Sequence, residues 1–224
     1  MCCMSMNAQV MKVVKDGKVI ASFKASQMDE VVFEEVQAST TIGTATRTGG
    51  VEVTWVQLWE NGPKFAEYNV GATSETQYGG YYCWGMNIDK DPDNNYYEGA
   101  NVLTGAYDTA TKLWGSNWRM PTQEEFQALL KNCDATWTED YNGSGIAGCI
   151  FTGKGEYLVN SIFLPAAGVF QEDAPDYVNF MLSYWSSTPE EEDYAYTLMM
   201  MDGYKDIMPD SRGRAYSVRA VLAE

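Results

Sequence analysis

The alternation of apolar and polar positions is most informative at residues 118–133. Pro121 favours an extended conformation for the residue before it, so a strand is expected to end there. Thr122 can cap a helix through its hydroxyl, and the Glu125 side chain can return to the Thr122 amide. Apolar side chains then recur at helical spacing, at Phe126, Leu129, Leu130 and Cys133. The pattern predicts a strand that turns into an amphipathic helix over residues 123–132.

The first 50 residues are predicted to form a small β unit followed by a linker. Within residues 10–36, two alternating runs flank Asp16-Gly17, a strong hairpin signal, and residues 30–36 have the pattern of a third strand. Residues 37–50 are rich in Ala, Ser, Thr and Gly, which is typical of a linker. Residues 1–9 have two interpretations, the remnant of a signal peptide or a disordered N-terminus.

The main domain is predicted to span residues 51–224. A hairpin is expected around Glu60–Pro63, an aromatic strand at 78–85 and a short helix at 108–114. Further short apolar runs and long polar loops follow the helix at 123–132. Two short helices, short mixed or antiparallel strands and long loops predict an α+β fold, and no internal repeat is evident.

Charge limits the classes of partner. The chain has 224 residues, with 15 basic against 31 acidic residues and a formal net charge of −16. A protein that binds phosphate backbones needs a basic face, so we expect no nucleic-acid partner. Docking on anionic lipid is disfavoured for the same reason. No stretch is long enough to cross a membrane as a helix.

The residue types present limit the chemistry. The chain has no histidine, which excludes Ser-His-Asp and Cys-His catalytic units and any zinc site that uses histidine. None of the five cysteines forms a C-x-x-C pair, which disfavours structural zinc and thioredoxin-like chemistry. Cys133 is expected in the core, and a Cys133–Cys149 disulfide is left open.

One acidic loop has the spacing of a calcium site. Asp89, Asp91 and Asp93 alternate, and alternate side chains can converge on one hard cation. The loop departs from the EF-hand pattern, because Asn94 stands where glycine is needed and Ala100 where the bidentate glutamate belongs. We expect no cofactor; calcium at these three carboxylates is left open beside a simple solvated loop.

Aromatic residues supply the candidate ligand contacts. The chain has 7 Trp and 15 Tyr, and rings that stack on sugars or anchor a protein partner must be exposed. Six tyrosines lie in polar stretches and are candidate ligand-binding residues: Tyr96, Tyr97, Tyr141, Tyr177, Tyr194 and Tyr204. Packing in the core is the other interpretation for each of them.

Several segments, in this order, resemble the Fibrobacter succinogenes major paralogous domain, which is common in secreted proteins of Bacteroidetes. They are Asn69–Ala72, Tyr78–Gly85, Tyr107–Ala110, Trp114–Phe126, Ser161–Gly168, Tyr184–Thr188 and Tyr216–Val221. The segment from Trp118 to Phe126 is also similar, more distantly, to the formylglycine-generating sulfatase-modifying family. The resemblance covers about residues 50–222. It implies a C-type-lectin-like fold, and members of the family mostly lack an assigned activity.

The resemblance also marks scaffold residues. Structural roles are expected for Trp118, Arg119, Pro121, Thr122, Glu125, Trp185 and Arg219. Arg119 and Arg219 lie in the segments that match best, in a chain with few cations. We expect at least one of the two to be buried, with its guanidinium satisfied by an acidic side chain or by loop carbonyls.

The function expected from these observations is a secreted or cell-surface binding module without catalysis, for a glycan or protein ligand. One alternative is an enzyme of the sulfatase-modifying or glycoside-hydrolase type, for which acidic clusters could supply paired carboxylates. No cysteine follows Cys149, so the oxidase chemistry of the sulfatase-modifying family is not carried over. The other alternative is a structural or assembly component of the cell surface.

Overall fold

The computed structural model describes residues 10–15, 18–24, 41–91, 93–171 and 173–223. The chain divides into two compact units, Met1–Gln37 and Ala38–Glu224. In the first unit, β1 (Val10–Lys15) pairs antiparallel with β2 (Lys18–Lys24). The predicted Asp16-Gly17 turn, the third strand at 30–36 and the N-terminal residues 1–9 lie outside the described residues.

The second unit is built mainly from short strands. They are β3 (Ile42–Arg47), β4 (Val51–Gln57), β5 (Lys64–Ala66), β6 (Trp118–Arg119), β7 (Asp134–Thr138), β8 (Gly148–Thr152), β9 (Ser161–Pro165), β10 (Val169–Gln171), β11 (Ala174–Asp176), β12 (Leu182–Pro189), β13 (Tyr194–Met201), β14 (Tyr204–Ser211) and β15 (Val221–Leu222). Two α-helices accompany them in the described residues, α1 (Thr109–Trp114) and α2 (Gln123–Asn132).

These strands pair antiparallel in several small sheets. One sheet has five strands in the order β3-β4-β5-β15-β6. Two sheets have three strands each, β7-β8-β9 and β12-β13-β14, and β10 pairs with β11 alone. The described chain is therefore mostly β with two short helices, which is consistent with an α+β class.

Helix α2 begins with a capping box. The N–H of Glu125 donates to the Thr122 hydroxyl at 3.2 Å, and the N–H of Thr122 donates to the Glu125 carboxylate at 2.8 Å. Phe126 and Leu129 are buried on the inner face of the helix. Arg119 adds a two-pronged ion pair to the Glu125 carboxylate at 2.6 and 2.7 Å, so strand β6 is tied to the first turn of α2.

Arg219 is completely buried at the centre of the second unit. Its guanidinium donates to the carbonyls of Ala66, Glu67 and Phe163 and to the Asn69 side chain, at 2.8–2.9 Å. Burial lowers the pKa of Arg219, but an arginine starts from so high a value that it stays charged. As expected for one of the two arginines, this side chain clamps backbone carbonyls from separate parts of the chain.

A second buried arginine was not foreseen from the sequence. Arg212 donates to the carbonyls of Tyr97, Gly99, Glu191 and Tyr194 at 2.7–3.0 Å. Its guanidinium also lies over the ring of a buried tryptophan, Trp84, 4.2 Å from the ring centre. Arg212 therefore fastens the loop around residues 97–99 and the β12–β13 turn to the end of β14.

Two predicted segments need correction. The linker predicted at 37–50 is wrong from residue 42 onward, since β3 occupies Ile42–Arg47 and pairs with β4. Its Thr residues suit an exposed edge strand, and composition alone hid the alternation. The strand predicted at 78–85 is an irregular segment with a single bridge, because Gly79 and Gly85 adopt positive φ and bend the backbone.

The Cys133–Cys149 disulfide is absent, and both cysteines are buried free thiols. In the β7–β8 register, Cys149 lies opposite Trp137, four residues beyond Cys133. That offset is roughly 13 Å along the strand direction, whereas a disulfide needs Cα atoms within about 7 Å. Strand register therefore keeps the two thiols apart.

Strand β14 forms one edge of its sheet, and three of its four outward backbone nitrogens offer no free donor. The two-residue turn before β14 fixes the alternation, so Lys205, Ile207, Pro209 and Ser211 direct their backbone nitrogens outward. Proline has no N–H, and the N–H groups of Ile207 and Ser211 donate to the side chains of Asp206 and Asp210. An edge of this kind resists pairing with another strand.

We predict that Thr122→Ala lowers the free energy of unfolding by about 1 kcal/mol, because the first turn of α2 loses one half of its capping box. Urea unfolding of the purified variant measures this difference. Thr122→Ser, which keeps the hydroxyl, is the control and should unfold close to wild type. A loss of the same size in both variants would show that the hydroxyl is not what stabilises the helix.

We predict that Arg219→Lys lowers the free energy of unfolding by about 3–5 kcal/mol, because an ammonium group cannot reach four acceptors that a planar guanidinium serves. Arg119→Lys is the matched control. Its ion pair is partly exposed, so we expect a loss of no more than about 1 kcal/mol. Thermal and urea unfolding compare the two, and equal stabilities would refute the clamp.

Candidate functional site

The six predicted tyrosines do not form one site. Tyr177, Tyr194 and Tyr204 are exposed, and the other three are partly buried and engaged. Tyr96 donates to Asp193, and the Tyr97 ring stacks on a neighbouring tyrosine. These two positions therefore fix loops in place.

Tyr141 is also part of the scaffold. Its ring lies parallel to that of Phe163, with the ring centres 3.9 Å apart, and its hydroxyl donates to Glu75 at 3.0 Å. Burial, reinforced by the charge of Glu75, raises the pKa of Tyr141 to about 12. A tyrosine held on both its ring and its hydroxyl is not free to meet a ligand.

The predicted calcium carboxylates do not converge. Asp89 accepts from the N–H of Tyr81 and pairs with the adjacent lysine. Asp91 is buried and accepts from the N–H of Asp93 and the side chain of Asn95, so it closes its own loop. Within the described ranges, no three His, Cys, Asp or Glu side chains are grouped so as to hold a metal ion. Asp89 and Asp91 accept hydrogen bonds from nearby backbone N–H groups, so these alternating aspartates stabilise the loop and do not form a set of calcium ligands.

The most distinctive surface feature is a shallow depression around the β13–β14 turn, which we call the hairpin groove. It consists of two adjoining cavities of about 340 and 270 Å³. Both are lined by Trp137, Met201, Asp202 and Tyr204. The larger cavity adds Glu139, Asn179 and Phe180, and the smaller adds Ala135, Met200, Gly203 and Lys205.

Three separate stretches of chain position these side chains. Strand β7 carries Trp137, the residues after β11 carry Phe180, and the tight turn between β13 and β14 carries Asp202. That turn spans two residues, and its second, Gly203, has a φ of +73°, which glycine adopts without strain. Phe180 is 59% exposed and Tyr204 42% exposed, so their rings are open to a ligand.

Hydrogen bonds hold the walls of the groove before any ligand arrives. The indole N–H of Trp137 donates to Glu139 at 2.6 Å and fixes the ring. Asn179 accepts from the Tyr78 hydroxyl and from the N–H of Ala147, both at 2.9 Å. A preformed surface of aromatic rings and carboxylates can bind by stacking and by accepting hydrogen bonds.

A separate cavity, of about 260 Å³, lies outside the hairpin groove and has a different lining. Its lining includes two carboxylates, Glu67 and Glu75, beside the apolar side chains of Val56 and Ile162. The Tyr141 hydroxyl already donates to Glu75. Its two carboxylates make it a candidate for the paired carboxylates of a hydrolase.

Sequence reasoning missed most of the hairpin groove. Trp137 lies in the stretch after the helix at 123–132, where no strand was assigned to it, although its alternation with Thr136 and Thr138 is a strand signal. Asp202-Gly203, between two strand-like runs, is a hairpin signal that would have marked the turn. Of the predicted tyrosines, only Tyr204 lines the groove.

Comparison with known proteins finds no matching family model, no similar curated protein and no similar solved structure. Within the described part of the chain, no helix has both the length and the apolar character needed to cross a membrane.

We predict that alkaline pH destabilises the fold partly through Tyr141. Its folded pKa lies near 12 and a free tyrosine titrates near 10, so the stabilisation is complete below about pH 10 and is lost as the pH rises toward 12. Urea unfolding over this range should show a shallower decline for Tyr141→Phe than for wild type. Tyr194→Phe, at an exposed tyrosine, should follow wild type; equal slopes in all three proteins would contradict the assignment.

Proposed function

We propose that the chain is a secreted or surface-exposed binding module without catalysis, and that its ligand, a glycan or a protein, occupies the hairpin groove. The observation that carries the proposal is the groove itself. It is shallow and preformed, and it is lined by the exposed rings of Phe180 and Tyr204, the partly buried ring of Trp137 and two carboxylates. Exposed aromatic anchors on a rigid scaffold suit recognition.

We also propose a C-type-lectin-like arrangement of the major paralogous domain type for the second unit. The resemblance between residues 50 and 222 suggests it. Support comes from the place of β15, which lies between β5 and β6 and so joins the end of the chain to its early strands. Two short helices and long loops are in keeping with it. The secreted location rests on the same resemblance.

The enzyme alternative has one observation in its favour, the Glu67–Glu75 cavity. Two carboxylates beside an apolar wall could perform acid–base chemistry on a sugar. Glu75, however, accepts a hydrogen bond from Tyr141. The hairpin groove has a larger volume and an aromatic lining, so binding is the better supported function.

The alternative of a structural or assembly component has less support, and the reason lies in the edge strand β14. At three of the four outward positions of β14, the N–H group is capped by an aspartate or replaced by proline. Growth of a polymer by strand addition would need those donors. We therefore place assembly below ligand binding.

We predict that Trp137→Ala and Tyr204→Ala each weaken ligand binding at least tenfold, because an aromatic anchor at the centre of a site contributes on the order of 2 kcal/mol. A glycan array and a pull-down from culture medium identify the ligand, and calorimetry compares the variants. Tyr194→Ala is the matched control: Tyr194 is equally exposed, and it lies at the far end of the hairpin, roughly 24 Å away.

Two outcomes count against the proposal. Binding that survives both groove substitutions would place the ligand elsewhere on the surface. Folded protein that retains nothing in either screen would remove the support for a binding module altogether.

A further inference from the structure

The larger cavity of the hairpin groove joins aromatic rings to carboxylates. Its lining has three rings, from Trp137, Phe180 and Tyr204, and two carboxylates, from Glu139 and Asp202, with no basic side chain among its described lining residues. The face of an aromatic ring attracts a cation, and the attraction is strongest for tryptophan. Carboxylates beside the rings add to that attraction.

The groove presents acceptors of hydrogen bonds more than donors. The indole N–H of Trp137 donates to one carboxylate oxygen of Glu139, an exposed residue, and no described residue donates to its second oxygen. No described residue donates a hydrogen bond to the Asp202 carboxylate. The side-chain oxygen of Asn179 already accepts from Tyr78 and Ala147, and its NH2 group donates to the Gly145 carbonyl. A ligand that fits this lining must bring donors.

Acidic residues near the groove add to the negative charge of the carboxylates that line it. Two more aspartates lie close by in sequence, Asp140 after Glu139 and Asp206 after Tyr204, and the whole chain carries −16. Lys205 lines the smaller cavity, not the larger one. The summed field therefore draws cations toward the larger cavity and repels anionic ligands.

We propose that the larger cavity receives a cationic side chain, a lysine ammonium or an arginine guanidinium, presented by another protein. This rests on the proposed function, because it takes the hairpin groove to be the ligand site. It narrows the ligand from a glycan or protein to a basic segment of a protein. The rings supply the faces over which the cation lies, and Glu139 and Asp202 neutralise its charge.

A neutral sugar would use the groove differently. It would stack on the same rings and donate hydroxyl protons to the same oxygens, but it would gain little from their charge. Substitutions that remove the charge and keep the shape therefore separate the two ligands. Glu139→Gln is suitable because its amide oxygen can still accept from the Trp137 indole.

The experiment uses the full chain and a hexalysine peptide, with a Gly-Ser peptide of equal length as the neutral probe. Calorimetry at low and at moderate salt should give hexalysine binding that weakens with salt and no binding of the neutral peptide. Asp202→Asn, Glu139→Gln and Trp137→Ala should each weaken hexalysine binding about tenfold, which corresponds to about 1.4 kcal/mol. Tyr204→Ala replaces Trp137→Ala if the latter fails to fold.

Glu156→Gln is the matched control for charge. Glu156 is exposed on a separate turn outside the groove, and its substitution changes the net charge by the same single unit. Hexalysine should bind this variant as it binds wild type. If Glu156→Gln weakens binding as much as Asp202→Asn does, the attraction is spread over the whole surface and the proposal is wrong.

A neutral oligosaccharide such as cellohexaose distinguishes failure of the cationic ligand from failure of the groove as the ligand site. Binding of the sugar that falls in Trp137→Ala and persists in Asp202→Asn would overturn the cationic ligand and leave the groove as the ligand site. If neither hexalysine nor the sugar responds to Trp137→Ala and Tyr204→Ala, both the cationic ligand and the proposed function fail.

Discussion

The buried guanidinium of Arg219 is the interaction on which the rest of the second unit depends. It lies two residues before β15 and donates to Ala66 at the end of β5 and to Phe163 within β9. Asn69, which accepts from Arg219, donates in turn to the hydroxyl of Tyr184 on β12. One side chain thus connects strands from separate sheets. Because a charge without partners in the core is very costly, these contacts must form together.

The loops depend on a second set of similar contacts. Arg212 collects four carbonyls from the stretches around residues 97–99 and 191–194, and it rests on the ring of Trp84. Backbone carbonyls in loops lack the regular partners that strands provide, so a planar five-donor side chain suits them. The two buried arginines therefore allow long irregular segments to be rigid without many strands or helices.

The hairpin groove is built on packed sheets. Its rings come from β7, from the residues after β11 and from the first residue of β14, which are far apart in sequence. The two three-stranded sheets that carry most of them contribute to the same hydrophobic core. A surface built on packed sheets keeps its shape without a ligand, which lowers the entropy lost on binding. Its acidic lining follows the charge of the whole chain.

The sequence by itself determined the local features: the capping box at Thr122, helix α2 and the antiparallel pairing of β1 and β2. It also led to the expectation that an arginine would be buried, because Arg119 and Arg219 lie in the segments that carry the family resemblance, in a chain with few cations. Only the tertiary structure decided which of the two arginines is completely buried, which aromatic rings are exposed and where those rings meet. Burial and long-range register depend on the packing of distant segments, whereas caps and turns depend on neighbours within a few residues.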